Sequence, residues 1–123
     1  MPKCILIADD SKTIRTLIRA FIENRAGFEV CGEAVDGVDA IEKAKELKPD
    51  LIILDLAMPR MNGAAAASVL KRRMPKIPIV LFTIYDKVMG KALASAVNVD
   101  LVLAKPNGLN DMVTHVEELL GSE

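Results

Sequence analysis

The chain has 123 residues, of which 51% are hydrophobic and 27% are charged, and its net charge at pH 7 is −1. This length and composition predict one soluble domain over residues 1–123 with no effector domain. The small net charge argues against a surface that binds nucleic acid by neutralising phosphates. No apolar stretch approaches the roughly 18 residues of a membrane span, and none follows a basic start as in a signal peptide. We therefore expect a cytoplasmic protein without direct nucleic-acid or membrane contacts.

Five short apolar runs, rich in β-branched residues, predict five strands. They lie, in chain order, at 4–8, 28–34, 51–56, 77–83 and 99–104. Three of the runs are almost continuously apolar, which is typical of parallel strands covered on both faces.

A helical pattern follows each strand. The apolar stripes lie at 14–22, 40–47, 63–73, 88–96 and 109–120, and Ser11 and Asp36 are placed to cap the first two helices. Five β-α repeats predict an α/β fold, a flavodoxin-like doubly wound (βα)5 domain. Its parallel sheet has the strand order 2-1-3-4-5, with helices on both faces.

The two cysteines, Cys4 and Cys31, lie in the first two predicted strands. Two cysteines suffice for one disulfide, but disulfides are rare in cytosolic proteins and free cysteines are commonly buried. We therefore expect both side chains to be reduced.

Polar residues stand at the carboxyl ends of four predicted strands. These residues are Asp9, Asp10, Asp55, Thr83 and Lys105. Each alone is typical of a helix cap or a solvated loop, but Asp55 interrupts an apolar run, where an idle charge would be costly. Ligands bind beyond the carboxyl ends of strands in this fold, so the five residues together predict a site.

Three converging carboxylates repel one another and need a cation to offset them. Oxygen ligands of this kind suit Mg²⁺, and Lys105 adds a second positive charge. A cation, a lysine and a hydroxyl around a carboxylate are suited to phosphoryl transfer, in which the carboxylate is the nucleophile.

Four segments, in this order and spacing, resemble the response-regulator receiver domain of two-component signal transduction, a CheY-like family. They are LIADDS (6–11), DLIILDLAMPRMNG (50–63), LFT (81–83) and LAKP (103–106). The resemblance covers about residues 3–121. It implies a phosphorylation-activated signalling switch that catalyses only its own phosphorylation and dephosphorylation.

The resemblance also implies residue roles. Asp55 would accept the phosphoryl group, Thr83 would be the switch hydroxyl, and Lys105, joined to Pro106 by a cis bond, would contact the phosphoryl oxygens. The Mg²⁺ ligands would be Asp10 directly, Asp9 through water, Asp55, and the backbone carbonyl of Ala57.

Two positions depart from the family pattern. Val102 lies where receivers usually carry a switching aromatic residue, so output is expected to depend on Thr83 and a loop shift. Ile84 follows Thr83 where a small residue is usual, and its branched side chain is expected to slow access of phosphodonors.

The implied partners are a sensor histidine kinase or histidine phosphotransfer protein and a downstream protein target. The responding surface would be the fourth helix, fifth strand and fifth helix, about 86–120, in a monomer or a phosphorylation-dependent dimer. A pseudo-receiver that acts as a constitutive interaction module, and the excised receiver of a DNA-binding transcriptional regulator, remain open. A metal-dependent phosphohydrolase is disfavoured because Ala57 replaces its general acid.

Overall fold

A computed structural model of the protein describes residues 2–83, 99–105 and 108–121. The elements are β1 (Lys3–Ala8), α1 (Lys12–Glu23), β2 (Phe28–Ala34), α2 (Gly37–Leu47), β3 (Leu51–Leu54), α3 (Gly63–Arg73), β4 (Ile79–Thr83), β5 (Leu101–Ala104) and α4 (Gly108–Leu120). The last of these, α4, is the fifth helix predicted from the sequence. The helix predicted at 88–96, together with Ile84 and Pro106, lies outside the described residues.

The strands form one parallel sheet in the order β2-β1-β3-β4-β5, which confirms the predicted fold class. β3 ends at Leu54 rather than at residue 56 as predicted. Beyond Leu54 the Asp55 amide still donates to the Ala8 carbonyl, but the Leu56 carbonyl accepts from Gly63 at the start of α3. The chain therefore leaves the sheet at Asp55 and turns towards α3.

Alternate side chains of the sheet enter two hydrophobic clusters, one on each face. In the central strand β3, Leu51 and Ile53 belong to the cluster with α1 and α4. Ile52 and Leu54 belong to the cluster with α2 and α3. This burial on both faces is what the continuous apolar runs predicted.

The first three helices begin at the carboxyl edge of the sheet, by which we mean the edge where the strands end. Ser11 and Asp36 cap α1 and α2 as predicted, with acceptor distances of 3.3 Å to the Ile14 amide and 2.8 Å to the Asp39 amide. Asn62 caps α3 in the same way. Of the helices within the described ranges, none has the length and apolar character needed to cross a membrane.

Cys4 and Cys31 are joined by a disulfide, so the prediction that both are reduced is wrong for this structure. The register of β1 against β2 shifts between Ile5 and Leu6, because Ile5 pairs with Val30 and Leu6 pairs with Gly32. Cys31 is the extra residue of this bulge. Its Cα lies 5.3 Å from that of Cys4, within the range a disulfide requires.

Candidate functional site

Three carboxylates meet at the carboxyl edge of the sheet, and we refer to Asp9, Asp10 and Asp55 as the acidic cluster. Each offers an oxygen atom, and these atoms all lie within 4.8 Å of one another. Asp9 and Asp10 follow β1, whereas Asp55 follows β3, and the two strands are neighbours whose last residues pair. Asp9 and Asp55 are 1% and 6% exposed, while Asp10 is exposed to solvent.

Lys105 brings a positive charge to the acidic cluster. Its Nζ lies 2.7 Å from Asp9 Oδ2 and 3.3 Å from Asp55 Oδ1, and its side chain is 11% exposed. The backbone amide of Lys105 donates to the Thr83 carbonyl at 2.8 Å, which fixes the residue beside the end of β4. The ammonium also lies 5.6 Å from the centroid of the Phe82 ring, a cation–π distance.

The electrostatics of Asp55 follow from this crowding. Burial, followed by the charge of Asp9, raises the pKa of the Asp55 carboxyl above its ordinary value, and Lys105 opposes the shift. A raised pKa means that the ionised form of Asp55 is less favourable here than in water. Three carboxylates face one lysine ammonium, so a bound cation would favour the ionised form of Asp55.

Gly63 allows α3 to approach the acidic cluster closely. A Cβ atom on this residue would overlap the carbonyl oxygen of Asp55 and lie 3.0 Å from the Cα of Leu56. The Gly63 amide instead donates to the Leu56 carbonyl at 2.8 Å. Glycine is therefore needed here for space.

Three further residues singled out in the sequence lie within the described ranges: Thr83, Ala57 and Val102. Thr83 ends β4 and is 1% exposed. Ala57 is exposed in the loop between β3 and α3, two residues beyond Asp55. Val102 is partly buried and packs against the hydrophobic cluster that lies between the sheet and helices α2 and α3.

Two features of the site were missed in the sequence. First, the guanidinium of Arg15 donates to the backbone carbonyl of Asp9 at 2.6 Å. Secondly, Arg60 forms two hydrogen bonds with the buried carboxylate of Asp36, which joins the β3–α3 loop to the start of α2. This guanidinium lowers the pKa of the Asp36 carboxyl. The only sequence signal for either contact is an arginine near the predicted site.

The fold and the acidic cluster with its lysine define a receiver-type domain. The sequence matches the response regulator receiver domain family over residues 5–117, and the chain belongs to that family. It is 36% identical to the response regulator protein VraR of Staphylococcus saprophyticus, over 100% of this chain but only 59% of that relative.

Solved structures agree with this assignment. The receiver domain of AraT, a response regulator from Geobacillus stearothermophilus, is 35% identical with a TM-score of 0.84, covering 98% of this chain and 96% of that one. The response regulator domain of Thermotoga maritima CheB has the same fold, with a TM-score of 0.90 at 23% identity over 100% and 99% of the two chains.

Proposed function

We propose that the protein is a phosphorylation-activated signalling switch in which Asp55 accepts a phosphoryl group from a histidine kinase. The observation that carries this proposal is the acidic cluster, whose oxygen atoms lie within 4.8 Å of one another, with the Lys105 ammonium 3.3 Å from Asp55. A cluster without such a role would be an unfavourable concentration of buried negative charge.

The donor set of the acidic cluster fits Mg²⁺, because all of its side-chain donors are carboxylate oxygens and Mg²⁺ prefers a few carboxylates together with waters. In this proposal Asp9, Asp10, Asp55 and the backbone carbonyl of Ala57 hold the ion. When bound, it would supply positive charge that offsets the phosphoryl oxygens.

The chain's own residues perform the transfer as follows. A carboxylate oxygen of Asp55 attacks phosphorus, a P–O bond forms and the P–N bond to the donor imidazole breaks, and the imidazole nitrogen takes up a proton. Lys105 offsets charge on the transferred group. The Thr83 hydroxyl is proposed to bond to the phosphoryl group once it is on Asp55.

Loss of the phosphoryl group occurs by attack of water on phosphorus. Ala57 offers no side chain that could orient this water, so we propose slow self-dephosphorylation and no turnover of an external substrate. The protein in this view catalyses only its own phosphorylation and dephosphorylation.

The proposed partners are a sensor histidine kinase or histidine phosphotransfer protein and a downstream protein target in the cytoplasm. Output would come from the surface that includes β5 and α4, as a monomer or a phosphorylation-dependent dimer. Val102 has no aromatic ring that could move on activation. The change from the inactive to the active conformation would therefore depend on Thr83 and a loop shift, and phosphorylation would shift the population between these two states.

Intact mass spectrometry after incubation with Mg²⁺ and phosphorylated histidine kinases, or a small phosphodonor, tests the proposal. We expect a Mg²⁺-dependent phosphoryl adduct on the wild type and on Asp111→Asn, which makes the same change at an exposed position in α4. Asp55→Asn should give no adduct. Absence of an adduct from every donor would overturn the proposal in favour of a constitutive interaction module.

The length comparison favours one further candidate. Because the chain spans 59% of the length of VraR, it would also suit the receiver portion of a longer regulator. A DNA-binding effector is the candidate we propose, since one solved neighbour from Staphylococcus aureus is described as a DNA-binding response regulator. Fusing the chain to such an effector domain and measuring operator binding with and without the adduct tests that role.

A further inference from the structure

Arg15 contacts the backbone between the first two members of the acidic cluster. It lies in the first turn of α1, and its side chain is 13% exposed. Nη1 donates to the Asp9 carbonyl at 2.6 Å, and Nε donates to Glu33 Oε1 at 2.8 Å. One guanidinium thus connects the end of β1 to β2 through two hydrogen bonds.

The peptide group between Asp9 and Asp10 is therefore fixed by a hydrogen bond from a charged guanidinium. The Asp9 amide donates to the Ala34 carbonyl at 3.0 Å, while its carboxylate accepts from Ser11 and Lys105. Asp10 differs, because it is exposed and, among the described residues, no protein donor holds its carboxylate. The direction in which the Asp10 side chain points depends on the orientation of the Asp9–Asp10 peptide group, whose carbonyl accepts the hydrogen bond from Arg15.

We infer that Arg15 is a positioning residue: by fixing the Asp9 carbonyl, it orients the Asp10 carboxylate towards the Mg²⁺ that the acidic cluster is proposed to bind. This inference rests on the proposed function. Outer contacts of this kind orient ligands, and their removal typically weakens metal binding by roughly 10-fold or more.

The charge of Arg15 by itself would weaken Mg²⁺ binding, whereas its positioning of Asp10 would strengthen it. Arginine is permanently cationic, and a cation near the cluster repels Mg²⁺. If Arg15 acted only through its charge, its removal would tighten Mg²⁺ binding. If it positions Asp10, its removal weakens binding, so the sign of the change separates the two roles.

Arg19 provides a matched control. It donates to Glu33 Oε2 through Nε and Nη2, at 2.9 and 2.7 Å, but makes no contact with Asp9. Arg19→Met removes the same charge from the same partner carboxylate. Any effect of Arg15→Met beyond that of Arg19→Met therefore comes from the Asp9 carbonyl.

The experiment is calorimetric titration of the whole chain with Mg²⁺, without a phosphodonor, alongside thermal unfolding of each variant. We expect Arg15→Met to raise the Kd for Mg²⁺ by about 10-fold and Arg19→Met to leave it within about 2-fold. Arg15→Lys retains the charge but not the two-armed geometry, so it should also bind Mg²⁺ more weakly, and it serves if Arg15→Met does not fold.

The inference is overturned, and the proposed function left intact, if Arg15→Met binds Mg²⁺ as tightly as the wild type or more tightly. If Arg15→Met is unfolded, the same outcome in Arg15→Lys decides. An equal loss in Arg19→Met would overturn it too. Failure of the wild type both to bind Mg²⁺ and to form an adduct would overturn the inference together with the proposed function.

Discussion

The Asp55 carboxyl is 6% exposed and lies beside the carboxyl of Asp9. Burial and this neighbouring charge raise its pKa in the folded protein. The contribution of Asp55 to stability is therefore fully present below its unfolded pKa and is lost as the pH rises through the folded pKa.

Asp55→Asn should consequently be more stable than the wild type at pH 7 in the absence of divalent cations, because the amide cannot ionise. The difference should shrink as the pH falls towards the acidic range, where Asp55 is protonated in both states. Thermal unfolding of both proteins with a chelator across this pH range measures the effect. A less stable Asp55→Asn at pH 7, or a gap that does not change with pH, would contradict the raised pKa.

Among individual residues, the proximity of Lys105 to the acidic cluster was predictable from the sequence, because the carboxyl ends of neighbouring parallel strands meet at one edge of the sheet. The contact of Arg15 with the Asp9 carbonyl was not. It depends on where α1 begins and on how a long side chain folds back over the end of β1, and neither leaves a periodic signal in the sequence.

Among the elements, α3 depends on a close contact with the strand that carries Asp55. The Cβ of an alanine at position 63 would overlap the Asp55 backbone. We expect Gly63→Ala to lower the free energy of unfolding by about 1–3 kcal/mol, as overpacking does, and to slow adduct formation.

Denaturant unfolding and the rate of adduct formation measure these effects. Ala65→Ser, at an exposed position in the first turn of the same helix, serves as the control and should change stability by at most about 0.5 kcal/mol. A Gly63→Ala variant as stable and as reactive as this control would show that α3 can move away without consequence.

The elements themselves were predicted well where a local signal exists. The Ser11 and Asp36 caps follow from side-chain chemistry next to an apolar stripe. The end of β3 was placed two residues late because Leu56 is apolar and continues the strand pattern. Its position is decided instead by the hydrogen bond between Leu56 and Gly63, a tertiary contact.

For the whole molecule, the Cys4–Cys31 disulfide constrains the unfolded chain. It closes a loop with a sequence separation of 27 residues, for which loop entropy gives a stabilisation of about 3.5 kcal/mol. Reductant should therefore lower the Tm of the wild type by roughly 10–15 °C.

Calorimetry or circular dichroism with and without a dithiol reductant tests this. The double variant Cys4→Ser/Cys31→Ser should melt near the reduced wild type and should not respond to the reductant. An identical Tm for the wild type under both conditions would contradict a stabilising disulfide.

The strand order follows from the number and spacing of β-α repeats, whereas the disulfide does not. In the observed register Cys4 pairs with Glu29, and Cys31 lies two residues further along β2. Cys31 is the unpaired residue of the β2 bulge, and its Cα lies 5.3 Å from that of Cys4, but nothing in the apolar pattern marks a bulge.

The ion pair between Lys105 and Asp9 joins residues 96 positions apart. During synthesis from the amino terminus, all three aspartates leave the ribosome before the lysine does. A nascent chain that ends before residue 105 has the carboxylates but not the amine that offsets them. Such long-range contacts form late in folding, so the site becomes complete only when β5 has joined the sheet. If the proposed function holds, a truncated translation product could not carry the signal, and the ability to respond would report that the chain has folded through β5.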